Sequence, residues 1–539
     1  MKVSGKIVDL HKLRIYAGEI TFNDGRIISI EETDSAPEVY IMPGLVDAHV
    51  HIESSMVTPS HFAVAAVRHG TVAVVSDPHE IANVMGIKGI WFMLDNAATV
   101  PLMFSFGAPS CVPATTFESS GAAIGAEEIQ LLLSDKRINY LAEMMNFPGV
   151  IFGDETVALK LKIARDAGVV IDGHAPGLSG ENLRKYVASG ISTDHECSTL
   201  EEALEKISLG MRILIREGSA AKNLNSLSSL LDSHPEMVML CSDDLHPEML
   251  EKGHINMLVA RLVSTGFDVF KVLKAASVNA AEHYKLGTGL LRVGDRADFI
   301  VVDNPGTMKV IQTWINGEMV FDGIRTLFGP GLVNKVNNFN CNRILSKEIA
   351  VPRGGTGMRV ITAVNGELLT GSIVADTGNE PLVRSRPEED ILKIVVKERY
   401  SDAPPSMGFI RGFGLKKGAL ATSVAHDSHN IIAVGVTDGE ITEAINAVVD
   451  TGGGMAVVSD RECEVLRLPV AGIMSDMPVS AVASNYLRLT ETAKRLGCTL
   501  DAPFMTLSFM ALLVIPELKL SDKGLFDGKA FRFVPLFTE

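Results

Sequence analysis

The sequence predicts an α/β protein built around a TIM-like (β/α)8 barrel, with a small β domain from both flanks of the barrel and a C-terminal α+β domain. Three observations support this prediction. Between residues 43 and 289, eight short apolar segments alternate with helical patterns. Polar side chains follow these segments where the strands are expected to end. Short strand-like segments with turns lie on both sides of this region.

The predicted domain boundaries follow from these patterns. Residues 1–42 and 290–340 are expected to form one small β-sandwich domain, residues 43–289 the barrel, and residues 350–539 the C-terminal domain. The segment Asn23-Asp24-Gly25 is typical of a hairpin turn. A doubly wound open sheet is the main alternative to the barrel, and it is less favoured because the sequence has no glycine-rich dinucleotide-binding turn.

Helix signals separate the predicted barrel strands. Thr58 and Pro59 begin a helix that Gly70 ends, and Gly168 and Gly190 end two later helices in the same way. After the sixth strand, Ser198 and Glu201 fit a capping box. The first predicted strand carries His49 and His51, and the later ones lie near residues 71–75, 102–106, 140–143, 169–174, 191–195, 212–215 and 237–241.

Composition limits the classes of partner. The net charge of −16 argues against nucleic acid and against anionic membrane surfaces, since both need clustered basic residues. The longest apolar run, residues 504–515, is too short to span a bilayer. Six scattered cysteines without a Cys-x-x-Cys pair suit a reducing compartment. The sequence begins without a secretory signal pattern, so we expect a cytoplasmic protein that acts on a small molecule.

The polar residues at the strand ends predict a metal centre. His49 and His51 have the i, i+2 spacing that puts both imidazoles on one face of an extended segment. Mixed imidazole and carboxylate ligands favour a hydrolytic centre that holds divalent cations. Each residue alone is more often a solvated or satisfied polar group, so the prediction rests on their joint placement. The predicted ligands, each at the end of a predicted strand, are His49, His51, Glu143, His174, His195 and Asp243.

Several longer motifs lie at residues 43–55, 76–84, 144–150, 173–178, 242–247, 412–414 and 425–430. They make the chain resemble the amidohydrolase superfamily and, within it, the bacterial and archaeal adenine deaminase family. The motif at residues 43–55 marks only the superfamily, whereas the Asp-Pro-His-Glu and His-Asp-Ser-His motifs are more specific. Many superfamily members have a carboxylated lysine after the fourth strand, and this chain has Glu143 there. The resemblance extends over essentially the whole chain.

The resemblance implies hydrolytic deamination of adenine to hypoxanthine and ammonia, with water attacking C6 of the purine. It implies two divalent metal ions per chain, Mn(II) or Fe(II) rather than Zn(II), and a homo-oligomer. We expect Asp243 to move the proton of the water and Glu80 to protonate N1 of the ring. We expect the loop that carries His426 and His429 to close over the barrel mouth. The residues expected to contact the purine are Asp77, His79, His246, His426 and His429.

Other interpretations stay open at this stage. From composition and spacing alone, the residues indicate only a binuclear metal hydrolase acting on a small molecule. A cyclic amidase, or another amidohydrolase acting on a small nitrogen heterocycle, would use the same metals and need arginines at strand ends, of which Arg216 is the clearest. A metal-free barrel is less favoured because all six ligands are present. Asp77 and His79 could also simply form a strand-end turn, Glu80 could compensate a helix N-terminus, and His246 could cap a turn.

Overall fold

The computed structural model describes residues 1–219, 221–460 and 462–538. These residues group into two compact units, which are described separately below. The first unit comprises residues 1–79, 91–111 and 124–333, and the second comprises residues 80–90, 112–123 and those from 334 onwards. The domain boundaries drawn from the sequence pattern stay a prediction.

The first unit begins with four strands that precede the barrel. In the turn between the second and third strands, Asp24 and Gly25 both have positive φ, 48° and 74°. A type I′ hairpin requires this backbone at both central residues, so the predicted Asn-Asp-Gly turn is confirmed. The four strands are β1 (Lys2–Asp9), β2 (Arg14–Asn23), β3 (Arg26–Glu32) and β4 (Tyr40–Pro43).

Eight parallel strands then form the predicted barrel. They are β5 (Leu45–Val50), β6 (Thr71–Ser76), β7 (Met103–Ala108), β8 (Ile138–Met144), β9 (Val170–Gly173), β10 (Thr193–Asp194), β11 (Arg212–Arg216) and β12 (Val238–Cys241). The first five pair in chain order, as do the last three. Ser192, directly before β10, donates its N–H to Ile171 O in β9, and Val50 in β5 forms a parallel bridge with Asp243 just after β12. These two links close the ring, and the barrel prediction is confirmed.

Helices separate the barrel strands along the chain. Gly70 and Gly168 end their helices with φ of 80° and 67°, as predicted. The predicted capping box is wrong by one residue: Thr199 has the extended backbone of an N-cap, and its hydroxyl accepts from Glu202 N. The helices are Ile52–Ser55, Pro59–Ala66, Val67–His69, His79–Met85, Ile87–Ala97, Ala126–Ser134, Phe147–Phe152, Glu155–Ala167, Gly180–Ala188, Leu200–Ser208, Leu224–Leu227, Leu230–Ser233, Pro235–Met237, Pro247–Leu250, Ile255–Ser264, Val269–Leu273, Lys274–Val278 and Asn279–His283.

Three strands after the barrel complete the small sheet of the first unit. They are β13 (Phe299–Val302), β14 (Val310–Ile315) and β15 (Glu318–Phe321). The sheet has the order β15-β14-β13-β4-β1-β2-β3, so strands from both flanks of the barrel share it, as the sequence predicts. Phe22, Phe299 and Trp314 pack together in its core, with ring centroids 5.2–5.6 Å apart.

The second unit has α+β character, as predicted. Its strands are β16 (Val351–Pro352), β17 (Gly357–Thr362), β18 (Gly371–Asp376), β19 (Leu382–Val383), β20 (Leu392–Lys397), β21 (Ser406–Arg411), β22 (Ala419–Thr422), β23 (Ile431–Gly435), β24 (Gly454–Ser459), β25 (Glu462–Arg467), β26 (Leu518–Ser521), β27 (Gly524–Asp527), β28 (Arg532–Phe533) and β29 (Phe537–Thr538). The main sheet has the order β18-β17-β21-β20-β23-β22-β24-β25, with β29 beside β17.

The helices of the second unit include one that packs on the main sheet and one that is fully buried. The helix Asp438–Asp450 contributes apolar side chains to a core shared with β20, β22, β23 and β24. The helix Pro503–Phe509 is buried along its length, so the apolar run near residue 504 belongs to the core. The helices after residue 334 are Ser346–Ile349, Pro387–Glu389, Asp438–Asp450, Val479–Arg495 and Pro503–Phe509. In the described part of the chain, no helix is both long and apolar enough to cross a membrane.

Candidate metal centre

The carboxyl ends of five barrel strands bring the six predicted ligands together in the first unit. Because parallel strands end at the same rim of a barrel, residues far apart in the chain become neighbours there. Five of the six side chains are almost completely buried, and His174 is partly exposed. Asp243 has φ of 54°, a left-handed backbone that aspartate tolerates better than most residues, and its backbone hydrogen bonds with β5 fix it at the rim.

One group of ligand atoms forms around the two histidines of β5. His49 Nε2 and His51 Nε2 are 3.2 Å apart. Asp243 Oδ1 is 3.5 Å from His49 Nε2 and 3.3 Å from His51 Nε2. Glu143 Oε1 is 3.3 Å from His51 Nε2. These four atoms form a compact set of two imidazole nitrogens and two carboxylate oxygens.

A second group forms around the other oxygen of the same glutamate. Glu143 Oε2 is 2.7 Å from His174 Nδ1 and 3.2 Å from His195 Nε2. Glu143 therefore presents one oxygen to each group. This is the arrangement that a carboxylate bridging two cations requires.

The spacing of these atoms fits bound divalent ions. Metal–ligand bonds of about 2.1 Å with angles between octahedral and tetrahedral put neighbouring ligand atoms about 3.0–3.4 Å apart. Most of the separations above lie in or next to this range. In addition, His49 Nδ1 is a buried nitrogen without a hydrogen-bond partner among the described residues. The residues present therefore fit a binuclear centre.

The two ligand carboxylates are held in their ionised form. Burial raises the pKa of Glu143, but His174, His195 and His51 outweigh it and hold the pKa well below its usual value. Burial also raises the pKa of Asp243, but Arg216 and the histidines hold it well below its usual value. Burial lowers the pKa of His195, but Glu143 and Asp243 raise it to about 9. Cations therefore compete with protons for these imidazoles.

Arg216, at the end of β11, orients one of the ligands. Its guanidinium donates to Asp243 Oδ2 at 2.5 Å, which leaves Oδ1 to face His49 and His51. It also makes two hydrogen bonds to Glu196, at 2.5 and 2.9 Å. Sequence reasoning missed Glu196; its position directly after His195 was the available signal.

A second buried network ties the first barrel strand to the last. Asp47 accepts hydrogen bonds from His49 N at 3.3 Å and from Ser242 N at 3.0 Å, and His254 Nε2 lies 2.8 Å from its carboxylate. Such contacts fix the strand that carries the histidine ligands. Asp47 lies inside the first motif, but its partner His254 could not be identified without the fold.

Two of the predicted purine contacts, Asp77 and His79, lie beside the ligand groups. His51 Nδ1 is 3.1 Å from Asp77 O. His79 Nδ1 is 3.2 Å from Asp77 Oδ2 and 3.4 Å from Glu143 Oε1. Another predicted contact, His246, precedes the helix Pro247–Leu250, and its Nδ1 is 4.0 Å from a Glu248 oxygen.

The remaining predicted residues form a separate cluster within the second unit. His426 Nδ1 lies 2.8 Å from Glu80 Oε1, and His429 Nε2 contacts Glu80 Oε2. All three side chains are buried. Sequence reasoning assigned an acid role to Glu80 and purine contact to the histidines, but it did not predict that they touch each other.

Two protein families match the chain. The amidohydrolase family matches residues 40–320, and the C-terminal domain of the adenine deaminases matches residues 367–532. The first match spans the barrel and all six predicted ligands. The second spans most of the second unit, including the loop with His426 and His429.

Curated relatives match along the entire chain. An adenine deaminase from Methanosarcina acetivorans is 53% identical, with 100% of both chains covered. One from Salinibacter ruber is 49% identical, with 100% of this chain and 99% of that one covered.

The structure also resembles solved structures of low sequence identity. A beta-aspartyl dipeptidase from Fervidobacterium islandicum has a TM-score of 0.46 at 16% identity, covering 61% of this chain and 100% of that one. An N-acetylglucosamine-6-phosphate deacetylase from Thermotoga maritima has a TM-score of 0.46 at 15% identity, covering 60% of this chain and 100% of that one.

Proposed function

The chain belongs to the amidohydrolase family and, within it, to the adenine deaminases, and from this membership we propose that it converts adenine and water to hypoxanthine and ammonia in purine salvage or catabolism. The observation that carries the proposal is the disposition of Glu143, whose two oxygens face two separate groups of ligand atoms. A hydrolase of this type needs such a centre to activate water near neutral pH.

The proposed cofactor is a pair of divalent ions, Mn(II) or Fe(II) rather than Zn(II). His49, His51 and Asp243 would hold one ion, His174 and His195 the other, and Glu143 would bind both. When bound, such ions lower the pKa of water toward neutrality. The affinity order of such sites favours zinc over manganese and iron. The choice of Mn(II) or Fe(II) therefore rests on the family resemblance and not on affinity.

Asp243 is the proposed base. Its Oδ2 is committed to Arg216, so Oδ1 is the oxygen that can take the proton of the attacking water and pass it to the leaving amine. Glu80 is the proposed donor to N1 of the ring. Burial raises the pKa of Glu80, but His426 and His429 hold it well below its usual value, so Glu80 must take up a proton before it can donate one to N1.

The proton balance closes with water alone. Water delivers its oxygen to C6, one of its protons leaves with ammonia, and the other replaces the proton given to N1. Asp77, His79 and His246 are proposed to orient the purine. Closure of the loop with His426 and His429 over the barrel mouth, and purine contact by these two residues, stay predictions.

A cyclic amidase is the second candidate, and Arg216 weighs against it. That reaction class would use a strand-end arginine to bind a substrate carboxylate. Arg216 is buried and makes hydrogen bonds to Glu196 and Asp243, so its guanidinium is already committed to the protein's own carboxylates. The proposed substrate is therefore an uncharged purine base rather than a nucleic acid or a carboxylate-bearing amide.

The proposed setting is the cytoplasm, with a homo-oligomeric protein. All six cysteines are free thiols in the structure, as expected for a reducing compartment. The oligomer is proposed from family resemblance only, and sedimentation of the purified protein tests it.

Chromatography of the reaction products tests the proposed reaction. Mn(II)-loaded protein is incubated with adenine, and hypoxanthine and ammonia are quantified, with Glu143→Ala alongside as the metal-site control. We expect equal amounts of both products from the wild type and a loss of at least about a thousandfold in the variant. If protein shown to hold two ions released no hypoxanthine, a hydantoin or a dihydropyrimidine would be tested next.

A further inference from the structure

We propose that His426 and His429 are positioning residues that hold the Glu80 carboxylate by its two oxygens, and that Arg399 and Tyr400 hold the loop that carries them. The proposal rests on the proposed deamination, in which Glu80 passes a proton to the ring. It assigns the two histidines a role exerted through Glu80 rather than through contact with the purine.

The geometry of the carboxylate supports this role. Each Glu80 oxygen faces a different imidazole: His426 Nδ1 is 2.8 Å from Oε1, and His429 Nε2 contacts Oε2. Two donors on two oxygens fix the plane of the carboxylate, whereas one donor would leave it free to rotate. A side chain that delivers a proton to a ring atom needs such an orientation.

The buried carboxylate of Glu80 also needs partners that compensate its lost hydration. A buried carboxylate is costly unless hydrogen bonds and opposite charge compensate its lost hydration. Glu80 is 2% exposed and His429 1% exposed. The two imidazole contacts therefore help to compensate the burial of the Glu80 carboxylate.

Arg399 holds the loop that carries His426 and His429 through hydrogen bonds. It is fully buried, and its guanidinium donates to His429 O at 3.2 Å, Ala471 O at 2.6 Å, Asn338 O at 3.3 Å and Asn337 Oδ1 at 3.0 Å. All of these acceptors are neutral carbonyl groups. Arg399 thus donates its hydrogen bonds to backbone and amide oxygens around the loop.

The neighbouring residue and two further contacts complete the anchor. Tyr400 Oη donates to Ser428 O at 2.5 Å, and His429 N donates to Ala425 O at 2.6 Å. The His426 ring stacks on Phe509, with centroids 4.8 Å apart. The protein's own contacts therefore hold the loop at both histidines, as positioning of Glu80 requires.

A double-mutant cycle tests the proposal. The proteins are wild type, Glu80→Gln, His429→Ala and the double variant, each loaded with Mn(II) and assayed with adenine. If His429 acts through Glu80, the double variant should turn over adenine within about twofold of Glu80→Gln alone, because the partner is already absent. If the two losses multiply, His429 acts independently of Glu80 and the proposal is wrong. Glu143→Ala sets the lower limit of the assay.

Two companion measurements separate positioning from other roles. His429→Ala should lower kcat roughly 10- to 100-fold while KM for adenine stays within about threefold, and His429→Gln, which keeps an N–H donor, should recover part of kcat. A rise in KM with kcat unchanged would instead indicate purine contact and overturn the proposal.

A urea-unfolding cycle on the same four proteins does not depend on turnover. The double variant should have a midpoint no lower than the less stable single variant, whereas midpoint losses that add would overturn the proposed contact of His429 with Glu80. If the wild type does not act on adenine, the proposed function fails, and this cycle still tests whether His429 and Glu80 are coupled.

Discussion

The chain contains two buried clusters of histidine and carboxylate, one in each unit, and they are built in opposite ways. In the first unit, six side chains from five strand ends share the task, and one glutamate faces three histidines. In the second unit, two histidines of one loop converge on Glu80 across a sequence separation of 346 and 349 residues. The first arrangement has the spacing of metal ligands, and the second places the Glu80 carboxylate between two imidazoles.

The comparison shows that the spacing and number of nitrogen and oxygen atoms indicate whether a cluster suits metal ions or protons. The first cluster has two carboxylates among four imidazoles, with ligand atoms spaced as around cations. In the second, one carboxylate lies within hydrogen-bond distance of two imidazoles of a single loop, an arrangement that suits proton handling. Removing a residue from each cluster should therefore give different signatures.

The largest expected difference is between Glu143→Ala and Glu80→Gln. Glu143→Ala removes the side chain whose two oxygens face the two ligand groups, so we expect bound metal to fall below two ions per chain and kcat to fall by at least about 10³-fold. Glu80→Gln should lower kcat by roughly 10²–10⁴-fold with metal content unchanged. Metal analysis by mass spectrometry, paired with the adenine assay, checks both. Loss of metal in Glu80→Gln would abolish the distinction between the clusters.

The next prediction concerns the frame of the metal cluster. Lys206 is fully buried, contacts Asp194 and donates to Ala175 O at 2.7 Å, which holds the segments that carry His174 and His195. Lys206→Met would leave the Asp194 charge buried without its main partner, and should lower the free energy of unfolding by about 3–5 kcal/mol. Urea denaturation measures this loss.

The matched control is an exposed ion pair. Lys162 contacts Asp166, and both side chains are 63% exposed. Lys162→Met should change the free energy of unfolding by no more than about 1 kcal/mol. Equal losses of unfolding free energy in the two variants would mean that burial of the Lys206–Asp194 pair does not increase its contribution to stability.

A smaller effect should separate the two buried arginines. Arg216 orients Asp243, whereas Arg399 donates to carbonyl oxygens of the second unit. Arg216→Lys should weaken Mn(II) binding roughly 10- to 100-fold, because ligand orientation is lost. Arg399→Lys should leave the metal affinity unchanged. Titration of the apo-protein with Mn(II) tests the pair, and a matching loss in both variants would count against the orienting role of Arg216.

The last expected effect is a pH dependence of stability from the second unit. Burial lowers the pKa of Lys519 to about 7. Between about pH 7 and the usual lysine value near 10.4, the unfolded chain binds more protons than the folded chain, so stability rises with pH.

Lys519→Met should remove this contribution, up to about 1.4 kcal/mol per pH unit. Unfolding free energies measured from pH 7 to pH 9 in both proteins provide the test. Identical slopes would show that Lys519 does not carry this pH dependence.

The sequence was sufficient to predict the barrel and the convergence of its ligands. Strand ends of a parallel barrel meet by topology, so placing His49, Glu143 and Asp243 at the ends of strands already placed them near each other. The same reasoning could not give partners outside the strand ends. Asp47 meets His254 only because a helix after the last strand folds back to the first.

The second cluster lay beyond sequence reasoning for a related reason. Neither periodicity nor spacing connects Glu80 to His426, since their contact depends on how a loop of a mixed sheet packs against a segment from early in the chain. The one-residue error in the capping box has a local cause: Ser198 and Thr199 are both good N-caps, and only the backbone angle distinguishes them.

The most direct test of the central claim follows the oxygen of water into the product. Mn(II)-loaded protein is incubated with adenine in water enriched in heavy oxygen, and the purine product is analysed by mass spectrometry. Hydrolytic deamination predicts one heavy oxygen in each hypoxanthine, formed together with one ammonia. Unchanged adenine, or a product whose oxygen does not come from water, would contradict the account.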